Sequence, residues 1–98
     1  MNQYMVEFEL PETMTEEFLS LIPEQREKVA EWMSEGRLLS YTLSMDRSKL
    51  WATVAAESEA AVSEMLDTFP LTPFMEAEIF ELAFNERANM FIPKFSLN

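Results

Sequence analysis

Residues Gln3 to Leu10 alternate, with Tyr4, Val6, Phe8 and Leu10 on one side and Met5, Glu7 and Glu9 on the other. That period-two pattern predicts a strand with one buried face, and Pro11, which has no amide hydrogen to give a ladder, ends it. From Thr15, an N-cap followed by the acids Glu16 and Glu17, apolar residues fall at Phe18, Leu21, Ile22, Val29, Trp32 and Met33. This is a helical stripe closed by Gly36, with Trp32 and Met33 read as core. Pro23 disfavours helical backbone at Ile22, so the stripe is expected to kink or to break into two helices.

Alternation returns from Arg37 to Met45, a polar turn Asp46-Arg47-Ser48-Lys49 follows, and a further strand runs through Leu50, Ala52 and Val54. These two strands form a hairpin. Ser58 caps another helix whose Val62, Met65, Leu66 and Phe69 face a core, and the segment from Pro70 to Pro73 leads into a last strand from Phe74 to about Phe84. The order βαββαβ predicts an α+β fold, the ferredoxin-like split βαβ, with an antiparallel sheet covered by helices on one face.

The more apolar sheet face, with Tyr4, Val6, Phe8, Leu39, Tyr41, Leu43, Leu50, Val54, Met75, Ala77 and Ile79, is assigned to the helices. The other carries Met5, Glu7, Glu9, Leu38, Ser40, Thr42, Trp51, Thr53, Glu76, Glu78 and Phe80. An uncovered face bearing Trp51 and Phe80 among carboxylates suits solvent or the matching sheet of a second copy, which would close a dimeric α/β barrel.

Composition narrows the chemistry. In 98 residues there are 18 acids and 7 bases, a net charge of −11, which disfavours nucleic acid and anionic membrane as partners. The absence of cysteine and histidine removes thiolate nucleophiles, disulfides, the commonest metal ligand and the commonest general base. No apolar run reaches a membrane span and the first residues lack the basic start of a signal peptide, so a cytoplasmic protein is expected. One glycine, five scattered prolines and no repeat give one domain over residues 1–84, with a C-terminal extension over 85–98.

The stretch Phe69-Pro70-Leu71-Thr72-Pro73-Phe74-Met75-Glu76 resembles the proline-bracketed LPLxPFMD signature that precedes the last strand of muconolactone isomerases. Leu10-Pro11-Glu12-Thr13-Met14 is similar to their LPxxM, and Gly36-Arg37 to the GK closing their first helix, so the resemblance covers roughly residues 4 to 84. It implies a dimeric barrel subunit, in that family assembled into larger rings. It also implies a cofactor-independent double-bond shift in a small lactone by proton transfer. The histidine that follows the glycine in those isomerases has no counterpart here, where Ser40 and Tyr41 stand.

Strand one lies between strands three and four in this fold, which puts Glu7 near Glu78 on the open face with Trp51 as an apolar wall. Two partly desolvated carboxylates repel, and one with a raised pKa would suit proton transfer near neutral pH. Glu7 and Glu78 are therefore the candidate acid and base, with Ser40, Thr42 and Trp51 as substrate contacts and Tyr41 as a further orienting group. The plain alternative is that Glu7, Glu9, Glu76 and Glu78 are solvated charges on a half-exposed sheet. Arg37 either clamps a substrate carboxylate or complements the dipole of the preceding helix. Glu76 and Glu78, two alternate acids on one strand, do not make a cation cage, so neither a metal nor a cofactor is expected.

In the extension, Met90, Phe91, Ile92, Phe95 and Leu97 are too apolar for a free tail and are expected to bury against a neighbouring subunit or the chain's own domain. The functional expectation is a cofactor-free isomerase acting on a small lactone or cyclic acid. Its rival is a non-catalytic barrel that binds a small molecule or is structural. Both involve self-association.

Overall fold

A computed structural model describes residues 1–88. Strand β1 (Asn2–Glu9) is followed by helices α1 (Glu16–Ser20) and α2 (Ile22–Ser34), the hairpin strands β2 (Leu38–Leu43) and β3 (Lys49–Ala56), helix α3 (Glu59–Leu66) and strand β4 (Glu76–Glu81). The sheet is antiparallel throughout, in the order β2-β3-β1-β4, as the ferredoxin-like reading requires.

The expected caps set the helix starts. Thr15 Oγ1 accepts the Phe18 amide at 3.1 Å and Ser58 Oγ accepts the Ala61 amide at 3.1 Å. Pro23 produces a break, not a kink. Leu21 ends α1, and the proline sits in the first turn of α2, where a missing amide hydrogen leaves no helical bond unmade. Gly36, with φ 73°, takes the left-handed conformation that stops α2.

Tyr4, Val6 and Phe8 from β1, Leu50, Ala52 and Val54 from β3, Val29 from α2, and Val62, Met65 and Leu66 from α3 form one buried core, with Phe69 beneath them. Full burial of side chains such as Phe8, Phe69 and Met65 contributes about 1.5–3 kcal/mol each. Met33 departs from the expected stripe and is 42% exposed, whereas Trp32 packs on the core edge and its Nε1 donates to Thr68 Oγ1 at 2.9 Å.

Two expectations about strands are corrected. A bulge between Leu38 and Ser40 changes the parity of β2: Leu38, assigned to the open face, pairs with Val54 and is buried in the core, while Leu39 is the extra residue and stays outside it. The last strand is shorter than the span from Phe74 to Phe84. Thr72–Phe74 forms a 3₁₀ turn pinned by Thr72 Oγ1 donating to the Leu66 carbonyl at 2.7 Å, so the ladder starts at Glu76. It ends at Glu81, one further bond running from the Leu82 amide to the Gln3 carbonyl, and Phe84 is 77% exposed. Asn85 Nδ2 donates to Gln3 Oε1 at 3.0 Å. The apolar positions from Met90 to Leu97 lie outside the described residues.

Candidate functional site

The open face carries cross-strand rows set by the register. Thr42, Trp51, Glu7 and Glu78 form one row, and Ser40, Thr53, Met5 and Phe80 the next. Four of the expected site residues thus share a row and Ser40 lies beside it. Arg37 stands apart: its Nε donates to the Ala55 carbonyl at 2.9 Å and its guanidinium lies 5.5 Å from the centre of the Trp32 ring. It is held at the end of α2.

The Glu7 carboxylate has partners of its own. Lys49 Nζ lies 3.1 Å from its Oε2 and Trp51 Nε1 donates to its Oε1 at 3.3 Å. These two donors, Lys49 first, hold Glu7 below the usual carboxylate range, the reverse of the raised value expected of a repelling pair. Lys49 also lies 3.8 Å from Glu9, and its own pKa is raised, chiefly by Glu7. Glu7, Glu9, Lys49, Glu76, Ala77 and Glu78 line an open cleft of about 270 Å³. A carboxylate stabilised this way is a weak proton acceptor.

A second cavity, of about 220 Å³, opens on the other side of the sheet between α1, α2 and the β2–β3 hairpin. Leu10, Met14, Phe18, Ile22, Leu43, Leu50, Leu71 and Met75 give it apolar walls, and Gln25, Arg26, Tyr41 and Arg47 are its polar members. Phe18 meets Phe74 edge-on at 5.8 Å between ring centres, tying α1 to the turn before β4. Gln25, only 3% exposed, bridges the cavity's elements. Its Nε2 donates to Tyr41 Oη at 2.9 Å, and its Oε1 accepts the Leu71 amide at 3.1 Å. Burial raises the Tyr41 pKa, against the smaller lowering effect of Gln25, so the phenol is neutral at physiological pH.

Apolar walls with a few fixed polar groups are what a small-molecule site requires, whereas the open-face cleft is lined almost wholly by charge. Sequence reasoning passed over Gln25, Arg26 and Arg47. The signal was present for Gln25, which lies three residues after Ile22 and four before Val29, a polar residue on the apolar stripe of α2. Nothing local marks Arg47; its place at the cavity follows from the hairpin's tertiary position.

Among the described residues, no helix is long and apolar enough to cross a membrane. No curated protein matches the sequence. A crystal structure of muconolactone isomerase is similar to this chain with a TM-score of 0.70 and 19% identity, over 88% of this chain and 93% of that one, which is a likeness of fold. The muconolactone delta-isomerase family model matches residues 3–86. With nearly the whole described chain covered, and with the proline-bracketed segment ahead of β4 inside the match, this chain belongs to the muconolactone delta-isomerase family.

Proposed function

We propose that the protein binds a small, mainly apolar cyclic molecule of lactone size in the cavity between α1, α2 and the hairpin. The observation that carries this reading is the hydrogen-bonded pair of buried Gln25 and half-buried Tyr41 set in an apolar cavity. Two polar groups with fixed geometry among aliphatic and aromatic walls orient a ring while apolar contact holds it. No metal or cofactor enters this reading. Calorimetric titration with a γ-lactone carrying a short acid arm tests it: wild-type protein takes up the lactone, and Met75→Trp, which fills the cavity, does not. Equal binding by both would overturn the assignment.

A second reading, proton-transfer isomerisation, is favoured by the register that sets Glu7 directly across from Glu78. In it Glu7 and Glu78 are acid and base on the open face, with Ser40, Thr42 and Trp51 as contacts, and a second copy closing that face into a barrel. The exposure of Phe80, at 44%, beside Met5 supports such closure. Deuterium uptake by the lactone in heavy water, lost in both Glu7→Gln and Glu78→Gln, is its expected signature. Uptake that persists in both variants refutes it. Light scattering at twice the chain mass is the corresponding result for the barrel.

A further inference from the structure

The chain has 18 acids for 7 bases, so two bases at the rim of one apolar cavity concentrate positive charge that is scarce in it. Lys28 pairs with Glu31 at 2.7 Å, Lys49 with Glu7 and Glu9, and Arg37 is held by the Ala55 carbonyl and the Trp32 ring. Arg26 and Arg47 have no carboxylate within 4.0 Å among the described residues, and both line the same apolar cavity, whose lining contains no acid. Both are exposed, so their guanidinium groups stand at its solvent-facing rim.

The hairpin turn is built to present Arg47 there. Arg47 has φ 62°, a left-handed backbone that an arginine adopts only when its surroundings impose it. Asp46 imposes it. Its Oδ1 accepts the Ser48 amide at 3.0 Å and the hydroxyls of Ser48 and Ser44 at 2.8 and 2.7 Å, while the Arg47 amide donates to the Ser44 carbonyl at 3.0 Å. The Asp46 carboxylate is thus engaged by the turn itself, and among the described residues the guanidinium bonds only the Met45 carbonyl, through Nη1 at 3.0 Å.

We infer that Arg26 and Arg47 are the charge-selecting residues of the cavity, a two-sided clamp at its rim that admits a ring carrying a carboxylate arm over its uncharged analogue. This rests on the cavity being the binding site. Guanidinium groups match a carboxylate by paired N–H donors, and the apolar walls take the ring.

The test uses wild-type protein labelled at the methionine ε-methyl carbons, with Met14 and Met75 reporting on the cavity and Met5 on the opposite sheet face. Cyclohexylacetate and its neutral amide are titrated in turn. The expected result is that the acid shifts Met14 and Met75 and binds at least about fivefold tighter than the amide, a modest preference because the clamp is exposed. Arg26→Met and Arg47→Met each reduce the acid-over-amide preference; both positions are exposed, and unperturbed core methyls verify the fold. Equal binding of acid and amide by wild type, or a preference that survives both substitutions, overturns the clamp and leaves the cavity assignment standing. No shift at Met14 or Met75 with either compound overturns both.

Discussion

Replacing Gln25 with leucine probes the bond network on which the cavity is built. The side chain is 3% exposed and both of its polar ends are used, by Tyr41 Oη at 2.9 Å and the Leu71 amide at 3.1 Å. Leucine keeps the bulk but leaves the buried Leu71 N–H without an acceptor, at a cost of about 1–3 kcal/mol. The Tyr41 hydroxyl loses its donor more cheaply, because it borders the cavity and water can replace the amide. The sum is about 2–3 kcal/mol, a large share of the roughly 5–15 kcal/mol that holds a domain of this size together. With a urea m of about 1 kcal/mol/M, the midpoint falls by about 2 M at unchanged slope. Tyr41→Phe alone costs about 1 kcal/mol, and the double variant is hardly less stable than Gln25→Leu, since the shared bond is already gone. Additive losses in the cycle, or a Gln25→Leu protein as stable as wild type, would refute the reasoning.

On the open face, Lys49→Met removes the main cause of the depressed Glu7 pKa, so the Glu7 carboxyl, followed by carbon-detected NMR, titrates at higher pH than in wild type. A depressed carboxyl contributes stability above its unfolded pKa and loses it as pH falls through the folded value, so the acid limb of stability attributable to Glu7 shrinks in this variant. Asp46 is lowered from 3.8 to about 2, most by the Ser48 amide and then by the hydroxyls of Ser44 and Ser48. By the same sign its contribution is complete above the ordinary value and is lost only as pH falls towards 2, and the double variant Ser44→Ala, Ser48→Ala moves its titration upward. Ser58→Ala deletes the N-cap of α3 at about 1 kcal/mol, a fall in thermal midpoint of about 4–8 °C by calorimetry. Gly36→Ala meets no neighbouring atom within 4 Å, so its cost, about 1 kcal/mol in urea unfolding, comes from the positive φ alone.

The fold was legible because each element announces itself locally. The alternation of Tyr4, Val6 and Phe8, the caps Thr15 and Ser58, and Gly36 each express a backbone requirement of one segment. The bulge at Leu39 was not legible, since Leu38 and Leu39 are both leucine and either parity satisfies the pattern. The pairing of Glu7 with Glu78 followed from strand order, but its electrostatics did not. Lys49 lies two residues before Trp51 on the same strand and face, and its ammonium reaches Glu7 diagonally, a contact that depends on side-chain direction. The cavity was invisible for a similar reason. Its lining comes from the β1–α1 loop, both N-terminal helices, the hairpin and the segment after α3, so no single stretch of chain carries its signature.

The central claim is that a small ring binds on the helix side of the sheet. Its most direct test is the set of nuclear Overhauser contacts between a bound γ-lactone and the methionine methyls. The account predicts contacts to Met14 and Met75, which line the cavity, and none to Met5 on the open face. Contacts to Met5 with none to Met14 or Met75 would contradict it and return the site to the row of Thr42, Trp51, Glu7 and Glu78.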